Sequence, residues 1–146
     1  MKIREFETSD IQGLFETLSD PEVMTYIEDP YTYEQAQELL DDVMASDEPS
    51  IHDAEDDNGN YIGYVIFHQY EEDSYELGWI LKRSEWGKGY ASKLTEMMID
   101  KARELKVNAA IECDPAQEVT KHIAKKFGFE FDEIFDGCEV YRLKLV

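Results

Sequence analysis

The chain has 146 residues, room for one domain with a real hydrophobic core. Its 34 Asp and Glu against 14 Lys and Arg leave a formal net charge of −20, which excludes a nucleic-acid binder with a broad basic face and a protein docked on an anionic membrane. A hydrophobic share of 42% with 12% aromatics excludes a disordered acidic tail.

Lys2 to Glu7 alternates around Ile3 and Phe6 and reads as a first strand. Thr8-Ser9-Asp10 offers N-cap oxygens to a helix with Ile11, Leu14, Phe15 and Leu18 at helical spacing. Ser19-Asp20-Pro21-Glu22 starts a brief second helix, Val23 to Ile27, which Pro30 ends. Thr32, Glu34 and Gln35 open a third, with Ala36, Leu39, Leu40, Val43 and Met44 in one apolar stripe that reads as core. Ser50 to Asp56 and Tyr61 to His68 read as strands around Asn58-Gly59, a type I′ hairpin signal.

Glu71-Glu72-Asp73 turns the chain into Ser74 to Lys82, a strand apolar at nearly every position after Leu77 and hence covered on both faces. Gly78 inside it suggests a bulge or a close backbone approach. A loop, Arg83 to Lys88, leads to a helix with Ala91, Leu94, Met98, Ala102 and Leu105 on one face. Asn108 to Cys113 is a short buried strand. Asp114-Pro115 starts a helix with Val119, Ile123 and Phe127 on one face and Gly128 as C-cap. Phe129 to Phe135 and Cys138 to Leu145 are strands joined at Asp136-Gly137, a second hairpin signal.

With no repeat, low-complexity tract or linker, residues 1–146 read as a single mixed α/β domain. The longest apolar runs, such as Tyr64 to Phe67, are too short to span a bilayer, and the N-terminus lacks the apolar core of a signal peptide. Two cysteines, Cys113 and Cys138, make no disulfide framework, so a reduced, cytoplasmic protein is expected. His52, His68 and His122 form no spaced ligand set with the cysteines, and no metal is expected.

The densest chemical signal is Leu81-Lys82-Arg83-Ser84-Glu85-Trp86-Gly87-Lys88-Gly89-Tyr90-Ala91. Small residues at 87, 89 and 91, between a buried strand and an amphipathic helix, let backbone N–H groups approach an anion along the helix N-terminus. Lys82, Arg83 and Lys88 add positive charge there. The segment is neither a Walker A loop, for want of a closing Gly-Lys-Ser/Thr, nor a dinucleotide fingerprint. A glycine-rich strand–helix turn with no ligand is the plainer alternative.

Trp86-Gly87-Lys88-Gly89-Tyr90-Ala91 resembles the acetyl-CoA pyrophosphate loop of the GCN5-related N-acetyltransferases (GNAT), with Trp in place of the usual Gln or Arg. Asp20-Pro21-Glu22-Val23-Met24, Tyr33-Glu34-Gln35-Ala36, Tyr75-Glu76-Leu77-Gly78-Trp79 and Lys125-Lys126-Phe127-Gly128-Phe129-Glu130 extend the resemblance, in order, along essentially the whole chain. They are similar to the branch that includes ribosomal-protein N-terminal acetyltransferases. The resemblance implies an α+β fold: a mixed, mostly antiparallel sheet of six to seven strands, flanked by helices, with central strands splayed at a bulge.

It also implies acetyl-CoA as cosubstrate, with the backbones of Ile80, Leu81 and Lys82 pairing with pantetheine and residues 86–91 cradling the pyrophosphate. Gln117 stands where the family often has Asn. Acetyl would pass to a primary amine by direct attack in a ternary complex, since no cysteine sits where an acyl carrier is needed. These domains commonly pair, so a homodimer is compatible. A non-catalytic acyl-CoA-binding module with the same fold is the alternative; a nucleotide switch is disfavoured by the missing P-loop lysine.

An amine attacks only when neutral, whereas an alkylammonium titrates near 10, so a base is needed. Glu76, on the central strand, is the candidate, because desolvation there would raise its pKa toward neutrality. A structural ion pair is the competing reading of Glu76. The family's usual tyrosine acid would fall at Ala124 and is absent. Thr120 keeps a hydroxyl where the N-terminal acetyltransferase branch has Ser; it could equally bond its own helix backbone. Tyr26 and Tyr141 are further hydroxyls, with aromatic packing the simpler role.

Residues 1–57 hold 18 acidic and 2 basic residues, and residues 58–146 hold 16 and 12. The resemblance puts the acceptor beside the first helices and CoA beside the later ones. A cationic acceptor is therefore expected: a basic protein N-terminus, a polyamine or another small amine.

Overall fold

The computed structural model describes all of residues 1–146. Seven strands form one sheet: β1 (Lys2–Arg4), β2 (Ile51–Glu55), β3 (Tyr61–Glu71), β4 (Ser74–Leu81), β5 (Asn108–Cys113), β6 (Glu130–Phe135) and β7 (Cys138–Leu143). Their order is β1-β2-β3-β4-β5-β7-β6. The ladders described by register are antiparallel except β4 with β5, which run parallel through Ser74–Glu76 opposite Asn108–Ala110. Four helices flank the sheet: α1 (Ile11–Leu18), α2 (Tyr33–Ala45), α3 (Tyr90–Leu105) and α4 (Glu118–Lys126).

The chain packs as two compact units. The first comprises residues 1–66 and 79–88; the second, residues 67–78 and 89–146. In the first, the apolar stripes of α1 and α2 bury Leu14, Leu18 and Leu40 with Phe6, Tyr64 and Ile80. In the second, α3 and α4 lie against β5 and bury Leu94, Met98, Ala102, Ile123 and Ala124 together with Ala109–Ile111 of the strand. A large apolar side chain taken out of water in this way is worth about 1.5–3 kcal/mol.

Several local expectations are corrected. Residues 21–27 form turns, not a helix: Met24 N–H bonds Asp20 O, Ile27 N–H bonds Met24 O, and the Thr25 hydroxyl bonds the Pro21 and Glu22 carbonyls. One turn behind a proline, with a β-branched residue competing for its carbonyls, does not propagate. Thr8–Asp10 is itself a short 3-10 turn capped by Glu7, and the Asp10 carboxylate accepts the Glu7 N–H at 2.7 Å. At Asn58-Gly59 only the glycine has positive φ, so the turn is not type I′. The Asp56 carboxylate closes it instead, accepting the Asn58 and Asn60 N–H groups at 2.9 Å each.

Asp136 (φ +50°) and Gly137 (φ +80°) both adopt the left-handed conformation a type I′ turn requires. Val119 is 72% exposed, so the buried face of α4 is Ile123 and Ala124 without it. Gly128, at φ +92°, ends α4 as expected: its N–H bonds Lys125 O and the Phe129 N–H bonds Ala124 O.

Candidate functional site

In the first unit the end of β4 is held by unusually close backbone. Gly63 on β3 has φ +145°, and a Cβ there would lie 2.3 Å from the Ile80 carbonyl oxygen and 2.7 Å from Leu81 Cα. Only glycine permits this approach. The Lys82 N–H donates to Ile62 O at 3.0 Å, and the Trp86 indole N–H donates to Leu81 O at 3.1 Å. Ile80 and Leu81 are buried, whereas Trp86 is half exposed. Sequence reasoning missed Gly63; its signal was an isolated glycine between β-branched and aromatic residues.

The loop after β4 begins with a 3-10 turn, Arg83–Glu85, and continues through Gly87 (φ +76°) and Gly89 (φ +81°) into α3. A Cβ built on either glycine meets nothing within 4 Å. These glycines are thus demanded by backbone conformation, and the face they leave bare is open to a ligand's close approach. Gly89 is the N-cap of α3 and supplies no side-chain cap, so the N–H groups of its first turn, Tyr90 and Ala91 included, have no capping oxygen. Loop shape and uncapped donors fit a pyrophosphate.

The cations around the loop already have carboxylate partners. Lys82 Nζ lies 3.5 Å from Glu16, Arg83 Nε 3.1 Å from Asp20, and Lys88 Nζ 2.9 Å from Glu85. The hydrogen bond from Gln12, then the Lys82 charge, hold the Glu16 carboxyl below its usual range. An arriving phosphate would share these cations with acidic side chains.

In the second unit Glu76 lies on β4 with its side chain 20% exposed, and its Oε1 is 2.9 Å from His68 Nε2 on β3. Burial raises its pKa, the His68 charge opposes this, and Glu112 on β5 adds to the rise. The Tyr70 hydroxyl hydrogen-bonds Glu112, and burial together with that carboxylate pushes it up to about 12. Glu76 is thus both paired and perturbed.

Gln117 is the N-cap of α4, and its amide oxygen accepts the Asp114 N–H at 2.8 Å, which leaves its amide donors free for a ligand. Thr120 is half-buried one turn before the fully buried Ala124, on the same face of α4. The hydroxyls of Thr17 and Thr95 bond their own helix carbonyls; no such bond ties down Thr120. Tyr141 is a packed structural residue, 2% exposed, donating to Glu139 at 3.2 Å, while Tyr26 is 49% exposed. A groove of about 400 Å³ along β6 and β7, lined by Gly128, Phe131, Arg142 and Lys144, contains none of the expected site residues.

A family model described as an acetyltransferase (GNAT) domain matches residues 1–130. The uncharacterized N-acetyltransferase YnaD of Bacillus subtilis is 30% identical over 140 residues, 93% of this chain and 82% of that protein. Among solved structures, a GNAT-family acetyltransferase from Bacillus anthracis superposes with a TM-score of 0.88 at 23% identity, covering 98% of this chain and 93% of that one. Spermidine N-acetyltransferase from Vibrio cholerae, solved with CoA and spermine, gives 0.80 at 20% identity, covering 97% and 92%.

Proposed function

Because the chain belongs to the GNAT acetyltransferase family, we propose that it transfers acetyl from acetyl-CoA to a cationic primary amine, by direct attack in a ternary complex. The observation that carries this reading is Glu76: a largely buried carboxylate, raised in pKa by burial, on the strand that runs into the glycine loop. Acetyl-CoA supplies the activated thioester acyl group. The chain's residues bind it, orient it and move protons.

The backbone of Ile80, Leu81 and Lys82 borders the pantetheine arm through the groups that the Ile62 carbonyl and the Trp86 indole leave free. Trp86, Gly87, Lys88, Gly89, Tyr90 and Ala91 hold the pyrophosphate through N–H donors and the start of α3, and Gln117 offers amide donors from the head of α4. Glu76 removes a proton from the acceptor's ammonium, so that the nitrogen lone pair becomes free to attack. As the carbon–sulfur bond breaks, the Thr120 hydroxyl gives its proton to the departing sulfur and takes the second proton of the newly acylated nitrogen, so CoA leaves as the thiol and the hydroxyl is restored. Residues 1–146 act as one acetyltransferase domain in the cytoplasm, and sedimentation tests whether two copies pair.

The acceptor's charge follows from the carboxylates of the first unit. Glu22, Glu28, Asp29, Glu34 and Glu38 are all exposed and make no salt bridge, unlike Glu16 and Asp20. Tyr26 and Tyr33 are exposed among them, and aromatic faces beside carboxylates suit an alkylammonium. The spermine bound by the Vibrio cholerae structure makes a polyamine a natural first acceptor to try.

Calorimetry with acetyl-CoA, and with 3′-dephospho-acetyl-CoA as control, tests the cosubstrate. Saturable binding is expected, and a folded sample that binds neither rejects the reading. Glu76→Gln is expected to keep acetyl-CoA affinity while losing about 10²–10⁴-fold in turnover, the usual worth of a general base.

A further inference from the structure

His68 was unassigned by sequence, and its surroundings fix its chemistry. Its Nδ1 lies 2.9 Å from the Gln69 carbonyl oxygen. A carbonyl has no hydrogen to give, so Nδ1 carries the N–H and donates. The other nitrogen, Nε2, is 2.9 Å from Glu76 Oε1. A bare imidazole nitrogen and a carboxylate oxygen each have only lone pairs, and contact at that distance requires a proton between them. The two side chains therefore share one proton with no net charge on the pair, and imidazolium beside carboxylate is the form in which Glu76 is ready to accept another.

The other groups around Glu76 leave His68 as its cationic partner. Glu112 on β5 is a carboxyl that pushes the Glu76 pKa up and so offers no cation. Tyr70 on β3 is a neutral phenol bonded to Glu112, and the Cys138 thiol on β7 is held up by burial and nearby carboxylates. Arg142 lies over the Tyr70 ring but is engaged by Glu71, Asp132 and Glu133.

We infer that His68 is a positioning residue that keeps Glu76 ionised between turnovers and passes the acceptor's proton to solvent. This rests on the reading of Glu76 as the base. The ammonium N–H bond breaks, its electron pair stays on nitrogen, and the proton goes to Glu76. The pair then holds two protons, and the imidazole, one third exposed, returns one to water. One proton enters and one leaves, and the pair is restored.

The test is a carbon-13 titration of the Glu76 carboxyl in protein labelled at glutamate Cδ, the resonance being assigned by its absence in Glu76→Gln. In His68→Gln the Glu76 midpoint is expected to rise by about one pH unit, because the cation that favours the carboxylate is gone. His68→Lys, which restores a cation, is expected to bring it back. The acidic limb of kcat/KM, measured with acetyl-CoA and spermine, should move with the carboxyl. An unmoved midpoint in His68→Gln, with Glu76→Gln inactive, overturns the role of His68 and leaves the base assignment standing. Full turnover by Glu76→Gln overturns the base, and the relay with it.

Discussion

Asp53 shows at the scale of one residue how this chain handles its surplus of carboxylates. It is fully buried, and neither oxygen has a hydrogen-bond partner; Arg4 stands 3.5 Å away, held by Asp10 at 2.8 Å and Glu55 at 2.6 Å. Burial, and next the charge of Asp10, raise its pKa to about 7 against the pull of Arg4. In the unfolded chain the same carboxyl titrates near 4, so the folded state binds the proton more tightly. The stability this adds is fully present below pH ~4 and is lost as pH rises through about 7. Asp53→Asn cannot titrate, so its stability over the parent should grow between those limits, reaching roughly 2–4 kcal/mol. Denaturant melts at pH 4, 5.5 and 8 measure it, and a difference that does not vary with pH rejects the assignment. The same reasoning singled out Glu76 in the sequence, as a carboxylate on the central strand where desolvation would raise its pKa, and burial does push it up. His68 was not legible there, because its partner lies eight residues on, across a two-residue turn whose register the sequence does not state.

At the scale of elements, glycines divide into those whose missing Cβ makes room for neighbouring backbone and those that face open space. Gly63→Ala would drive a Cβ into the Ile80 carbonyl, with backbone on both sides and no flexible side chain to yield. A loss of about 2–4 kcal/mol in stability is expected, the range of severe core overpacking. Gly89→Ala meets open space and carries only the left-handed φ, which costs roughly 1 kcal/mol. Its effect is expected on acetyl-CoA instead, as at least a tenfold loss of affinity by calorimetry with the melting temperature changed by a few degrees. If both variants lost stability alike and Gly89→Ala bound acetyl-CoA normally, the loop would be an ordinary turn. The strand–loop–helix order around Gly87 and Gly89 was readable, since small residues, an amphipathic stripe and an apolar strand each leave a periodic trace. The helix expected at 23–27 was not there, because a proline and an acidic first turn signal a start without the length that propagates one.

At the scale of the molecule, the charge asymmetry survives folding. The first unit carries 19 acidic and 5 basic side chains and the second 15 and 9, for net charges of −14 and −6. Within the first unit, Arg4, Lys82, Arg83 and Lys88 all have carboxylate partners, so the surplus is uncompensated carboxylate along α2 and the turns before it. Such a field raises the encounter rate of a cation and is screened over about 10 Å at 0.1 M salt. A background of acidity kept only for solubility would repel other copies of the chain but would not discriminate among acceptors. The two differ in how turnover depends on salt and on acceptor charge together. For spermine, kcat/KM should fall at least several-fold between 20 and 300 mM NaCl; for a monoamine of similar length it should change by less than twofold. The fall should lie in kcat/KM and not in kcat, because steering acts on encounter. Parallel salt curves for the two amines would leave the acidic surface as a solubility feature, and the acceptor would then be set by the shape of its pocket.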